Sequence, residues 1–136
     1  MDEMPRDHRP GRSVRVLLAP GDGALAVLLG MEPGLSVVAQ VGGGEDLQGV
    51  AVLACPDVAL VDDVGSVRAL AEAVPECRVL VLATSARPGL VSAALAAGAA
   101  GVVLRDGPVP DLTTAIHRAL TGETTVDPAL SPPAGP

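Results

Sequence analysis

From residue 13 to residue 122 the chain alternates between short, almost unbroken apolar runs and stretches in which apolar residues recur at helical spacing. Val14 to Ala19 is the first run, followed by Val37 to Val41, Val58 to Val61, Val79 to Leu82 and Gly101 to Leu104. Short runs without polar alternation, rich in β-branched residues, predict strands buried on both faces. Between them, Leu47, Val50, Ala51 and Ala54 follow the i, i+3, i+4, i+7 pattern of an amphipathic helix, as do Val67, Leu70, Ala71 and Val74. Leu112, Ala115, Ile116, Ala119 and Leu120 form the clearest stripe, with Pro110 suited to its first turn and Gly122 to its end. Leu25, Leu28 and Leu29 mark a short first helix, and Val91, Ala94 and Leu95 a fourth that stops at Gly98.

Five strands alternating with five helices predict a doubly wound α/β domain, a parallel sheet covered on both faces. Right-handed crossovers leave few topologies, of which the flavodoxin-like order 2-1-3-4-5 is the expected one. In that order the crevice opens at the carboxyl ends of strands one and three, which here are Pro20-Gly21-Asp22 and Asp62-Asp63. Residues 1–12 and 123–136 lack the periodic pattern and are expected to be a leader and a linker flanking a domain at 13–122.

A length of 136 residues suits one domain. The sequence has no Phe, Tyr or Trp, so its core must be aliphatic, and it offers no aromatic platform for stacking bases. The formal charge of −7 repels phosphate backbones, so no direct nucleic-acid contact is expected of this segment. Arg6, Arg9, Arg12 and Arg15 crowd the amino-terminal end, but Asp2, Glu3 and Asp7 dilute them, which suits a solvated tail. No apolar run can span a membrane and no signal peptide is evident, so a cytoplasmic, membrane-free location is expected. Cys55 and Cys77 form no metal-ligand pattern. Each precedes a strand, and the two are expected as buried free thiols near one another.

The motifs with catalytic overtones resolve to structural ones. Gly42-Gly43-Gly44-Glu45 lacks the lysine and hydroxyl of a phosphate loop and the spacing of a dinucleotide fingerprint, leaving a glycine-rich turn before a helix. Gly21-Asp22-Gly23 suits a turn with Asp22 as a helix N-cap. His117 lies beside Arg118 on the polar side of the last helix, and His8 lies in the leader. No nucleophile is paired with a base, so an enzyme is not expected, and no metal or other cofactor is implied.

Pro56-Asp57-Val58-Ala59-Leu60-Val61-Asp62 resembles the third strand of a bacterial receiver domain. Gly98-Ala99-Ala100-Gly101-Val102-Val103-Leu104-Arg105-Asp106 resembles its fifth strand and the turn after it. Val14 to Ala19, Glu32-Pro33-Gly34-Leu35, and Gly122-Glu123 followed by Val126-Asp127-Pro128 are also similar. Over residues 13–130 the ordered series resembles the receivers of NarL/FixJ-type response regulators. The resemblance implies a CheY-like version of the flavodoxin-like fold and places Asp62 at the phosphoacceptor position.

The departures bear on the chemistry. Where the family carries the acidic pair that binds a divalent cation, this chain has Pro20 and Gly21. Ala83 replaces the hydroxyl residue that ends strand four, with Thr84 one step later; Val102 replaces the aromatic switch residue and Arg105 the lysine. Phosphoryl transfer to a carboxylate needs a cation and a fixed positive charge to offset the crowded oxygens. Asp22 and Asp63 are off the family positions, and a planar guanidinium does not reproduce a compact ammonium. Asp62 is therefore expected to be an inactive phosphoacceptor equivalent, paired with Arg105 or capping the next helix.

The resemblance then implies an atypical receiver that acts independently of phosphorylation and regulates transcription through protein contacts: a homodimer, an effector domain or a partner protein. The first and last helices would form the dimer flank, with Thr113, His117 and Arg118 at its edge. The alternative is a small-molecule sensor using the crevice near Asp62 and Arg105. A working phosphorelay receiver is the third reading. The family's regulators continue into a helix-turn-helix, which residues 1–136 do not encode.

Overall fold

The computed structural model describes residues 13–85 and 87–130. Its elements in chain order are β1 (Val14–Ala19), α1 (Gly23–Gly30), β2 (Leu35–Gln40), α2 (Leu47–Ala54), β3 (Val58–Val61) and α3 (Val64–Ala73). There follow β4 (Arg78–Ala83), α4 (Leu90–Ala97), β5 (Gly101–Leu104), α5 (Val109–Leu120) and β6 (Thr125–Val126). The expected leader, with Arg6, His8, Arg9 and Arg12, lies outside the described residues, as does the end of the expected linker from residue 131.

The strands pair in parallel in the order β2-β1-β3-β4-β5-β6, so the expected doubly wound order holds with one strand added. Successive strand side chains point to opposite faces and build two separate aliphatic cores. Leu17, Ala59, Val61, Val79, Val81 and Val102 pack under α2, α3 and α4 through Ala51, Val67, Leu70 and Ala94. Val16, Leu18, Val58, Leu60, Leu80 and Leu82 pack under α1 and α5 through Leu29, Leu112, Ala115 and Ile116. No charged or polar residue is buried among those described, so both cores are held by aliphatic burial, at roughly 25 cal/mol per Å² removed from water.

Helix ends follow local chemistry. Asp22, Asp46 and Asp63 are the N-caps of α1, α2 and α3, each accepting a hydrogen bond from the backbone N–H three residues on. The end of α5 is a Schellman turn: Gly122, at φ 89°, donates to the Ala119 carbonyl and Glu123 to that of Arg118. Gly42 to Glu45 forms the expected turn, closed by Glu45 N–H on the Gly42 carbonyl.

Four expectations change. Strand β2 starts at Leu35, not Val37; polar Ser36 hid the earlier start, and Leu35 pairs with Val14. The expected linker is folded where it begins. Thr125 and Val126 pair with Gly101 and Val102, the Asp127 N–H donates to the Val102 carbonyl, and Leu130 is buried. A two-residue strand is too short to show periodicity. Arg15, grouped with the arginines of the solvated tail though it falls within the first apolar run, belongs to β1: its guanidinium donates to the Ala54 and Cys55 carbonyls at 2.6 and 3.3 Å and so caps the end of α2. The cysteines also differ from one another. Both are free, but Cys55 is exposed at the end of α2, at φ 51°, while Cys77 is buried.

Candidate functional site

The parallel register brings the carboxyl ends of β1, β3, β4 and β5 to one corner, through the pairs Ala19–Val61, Val61–Val81 and Ala83–Leu104. A cavity of about 360 Å³ opens there. Of the residues singled out from the sequence, Pro20, Asp62, Ala83, Thr84 and Arg105 line it. Val81 and Leu82 of β4 also line it, as do Ser85, Arg87 and Leu90 from the loop after β4 and the start of α4, which were not singled out. The signal for them was weak: a hydroxyl pair and an arginine in a loop, with nothing in sequence distance to tie them to Asp62.

The remaining candidates fall elsewhere. Val102 is fully buried among the side chains beneath α2, α3 and α4 and does not reach the cavity. Gly21 is held by its own N–H on the Val41 carbonyl, with Gln40 packed where a side chain would begin. Asp63 faces α3: one carboxylate oxygen accepts from the Ser66 N–H at 3.0 Å and the other from the Ser66 hydroxyl at 2.6 Å. Asp22 accepts from the Leu25 N–H at 3.1 Å with one oxygen and pairs with the Arg105 guanidinium through the other. The Leu25 N–H lowers the Asp22 carboxyl pKa most; desolvation opposes it, and the Arg105 guanidinium and the Ala24 N–H lower it further, for a net shift below its ordinary value.

Asp62 itself is exposed and has no hydrogen bond or ion pair with any described residue. Both expected roles belong to its neighbours. Asp63 holds the N-cap position of α3, so Asp62 does not cap it, and Arg105 reaches across to Asp22 instead of Asp62. Arg87 is likewise exposed, with no side-chain partner among the described residues. No cluster of three or more His, Cys, Asp or Glu side chains among the described residues is placed to share a metal ion. The donor set around Asp62 does not fit a divalent cation: Pro20 and Gly21 supply no side-chain oxygen, and Asp22 and Asp63 are spent on helix caps.

A second surface lies where α1 meets α5. Thr113 is half-buried, its hydroxyl donating to the Val109 carbonyl at 3.1 Å, whereas His117 and Arg118 are exposed. On α1 and at its C-cap, Val27, Leu28 and Met31 are 63%, 45% and 71% exposed. Of the three leucines that marked the helix, Leu25 and Leu29 are buried and Leu28 is partly exposed. A cleft of about 270 Å³, lined by Leu25, Leu28, Arg105, Val109 and Leu112, runs between the two helices. No helix among the described residues is long and apolar enough to cross a membrane.

No family model matches the chain. Among curated proteins, the Bacillus subtilis transcriptional regulatory protein YvfU is 34% identical over 116 residues, covering 80% of this chain and 58% of its own length. The transcriptional regulatory protein DesR of the same organism is 33% identical over 113 residues, covering 79% of this chain and 57% of its own. The chain therefore spans somewhat more than half the length of these relatives. Among solved structures, the signal receiver domain of the putative response regulator NarL from Mycobacterium tuberculosis superposes with a TM-score of 0.72 at 26% identity, covering 82% of this chain and 99% of that one.

Proposed function

The chain is a response-regulator receiver domain with homologues among NarL/LuxR-family transcription regulators, and from this premise we propose that it works without phosphorylation of Asp62. One observation carries the proposal: the charged groups that could have rebuilt a phosphorylation site are already engaged elsewhere. Asp22 and Asp63 cap helices, and Arg105 is drawn to Asp22 and away from Asp62. A phosphoryl group arriving at Asp62 would meet no acidic pair to hold a cation and no unpaired charge at the lysine position. The output, in this proposal, is non-enzymatic: control of transcription through contacts with a second copy, an effector domain or a partner protein. The exposed apolar residues of α1, together with the exposed His117 and Arg118 of α5, support self-association on the flank these two helices share.

The test is acetyl phosphate with Mg²⁺, read by intact mass and peptide mapping. The expected result is an unmodified chain. A stoichiometric phosphoryl adduct on Asp62 would return the domain to the working receivers.

A further inference from the structure

The cavity beside Asp62 is at the small end of the roughly 300–1,000 Å³ typical of ligand sites, at about 360 Å³. Its charge pattern is specific. Arg105 is neutralised by Asp22, so the cavity is left with one carboxylate, Asp62, and one guanidinium, Arg87, neither with a partner among the described residues. The two line the same cavity without an ion pair between them. Beside Arg87 stand the exposed hydroxyl residues Thr84 and Ser85, and Leu90, Ala83 and Pro20 supply apolar wall.

A dianion such as a phosphate would gain Arg87 but press its second charge against Asp62. A simple cation would face Arg87, and a neutral apolar molecule would leave both charges unanswered. The pattern is complementary to a ligand that carries both signs a few bonds apart. We propose that this cavity binds a zwitterionic α-amino acid with an aliphatic side chain. Its carboxylate meets Arg87 and the Thr84 and Ser85 hydroxyls, its ammonium meets Asp62, and its side chain lies on Leu90 and Ala83. Guanidinium pairs with carboxylate in a planar, two-bond geometry, which suits Arg87 to that end. Such a ligand would tie the end of β3 to the loop after β4 and so fix the start of α4, giving the domain an input in place of phosphorylation. The inference rests on the reading that Asp62 is not a phosphoacceptor.

The experiment is a thermal-shift and calorimetry series on the 136-residue chain with L-alanine, L-valine and L-leucine. The matching deaminated acids and decarboxylated amines are the controls. A ligand that binds only the folded state must raise Tm. At least one amino acid is expected to do so, with both single-charge analogues about tenfold weaker or worse. Arg87→Gln and Asp62→Asn should each remove the shift while leaving the unliganded Tm close to that of the parent, since both side chains are exposed. No shift with any of the three amino acids, or equal binding of a deaminated acid, overturns the inference. The two readings fail separately. A phosphoryl adduct on Asp62 defeats the underlying one, whereas a flat amino-acid series on a chain that resists acetyl phosphate defeats the ligand alone.

Discussion

At the scale of single residues, the site is governed by which charge answers which. Asp22 has two claims on it, the Leu25 N–H and the Arg105 guanidinium, and both favour the ionised form. Its folded pKa is therefore lower than in the unfolded chain. The stability it contributes is complete above the ordinary carboxylate pKa of about 3.9 and is lost as pH falls from there through the folded value. Asn at this position still caps a helix but carries no charge. Asp22→Asn should thus lose less Tm than the parent between about pH 5 and pH 2.5, measured by circular dichroism; an equal loss would show that ionisation of Asp22 carries no net stability. The cysteines divide in the same residue-level way. Burial, and secondarily the charge of Asp57, push the Cys77 thiol up to about 12, while Cys55 is exposed. With a thiol reagent at about pH 8, one sulfhydryl, Cys55, should react in the native protein, and Cys77 only on unfolding. Rapid labelling of both would contradict the buried position.

At the scale of elements, β6 shows how a close approach settles a boundary. A Cβ on Gly101 would lie 2.0 Å from the Thr125 carbonyl oxygen, so the sixth strand can pair only because position 101 has no side chain. Gly101→Ala should displace β6 and cost about 1–3 kcal/mol in urea denaturation, as overpacking does. The Thr125 and Asp127 amides should then lose hydrogen-exchange protection. Retained protection would place the strand's stability elsewhere, for example in the burial of Leu130. The five main strands and the stripe of α5 were legible in the sequence because they are runs of like residues with a fixed period. Strand β6 and the partial exposure of Leu28 were not, because a two-residue strand has no period and a short helix does not declare how much of its face is covered.

At the scale of the whole molecule, net charge and the α1 flank oppose one another. Copies carrying −7 each repel, while Val27, Leu28 and Met31 offer apolar area to a second copy. Self-association through this flank should strengthen as salt rises and the screening length falls below about 10 Å. Leu28→Arg, or Met31→Glu with Val27→Glu, should hold the protein monomeric in sedimentation velocity at the same salt. Association that weakens with salt, or that survives these changes, would move the interface away from α1.

The sequence by itself determined the alternation of strands and helices, the aliphatic core, the few topologies open to the five main strands and the place of Asp62 at the end of β3. All of these follow from hydrophobic period and chain connectivity, which are local or nearly local properties. Tertiary structure alone decided which partners the charges take. Arg105 and Asp22 lie 83 residues apart in the chain and meet only when β1 and β5 end at one corner, and Arg87 reaches the wall of the same cavity from the loop after β4. Pairing between side chains depends on distances of a few ångströms across the sheet, and no spacing along the chain encodes them.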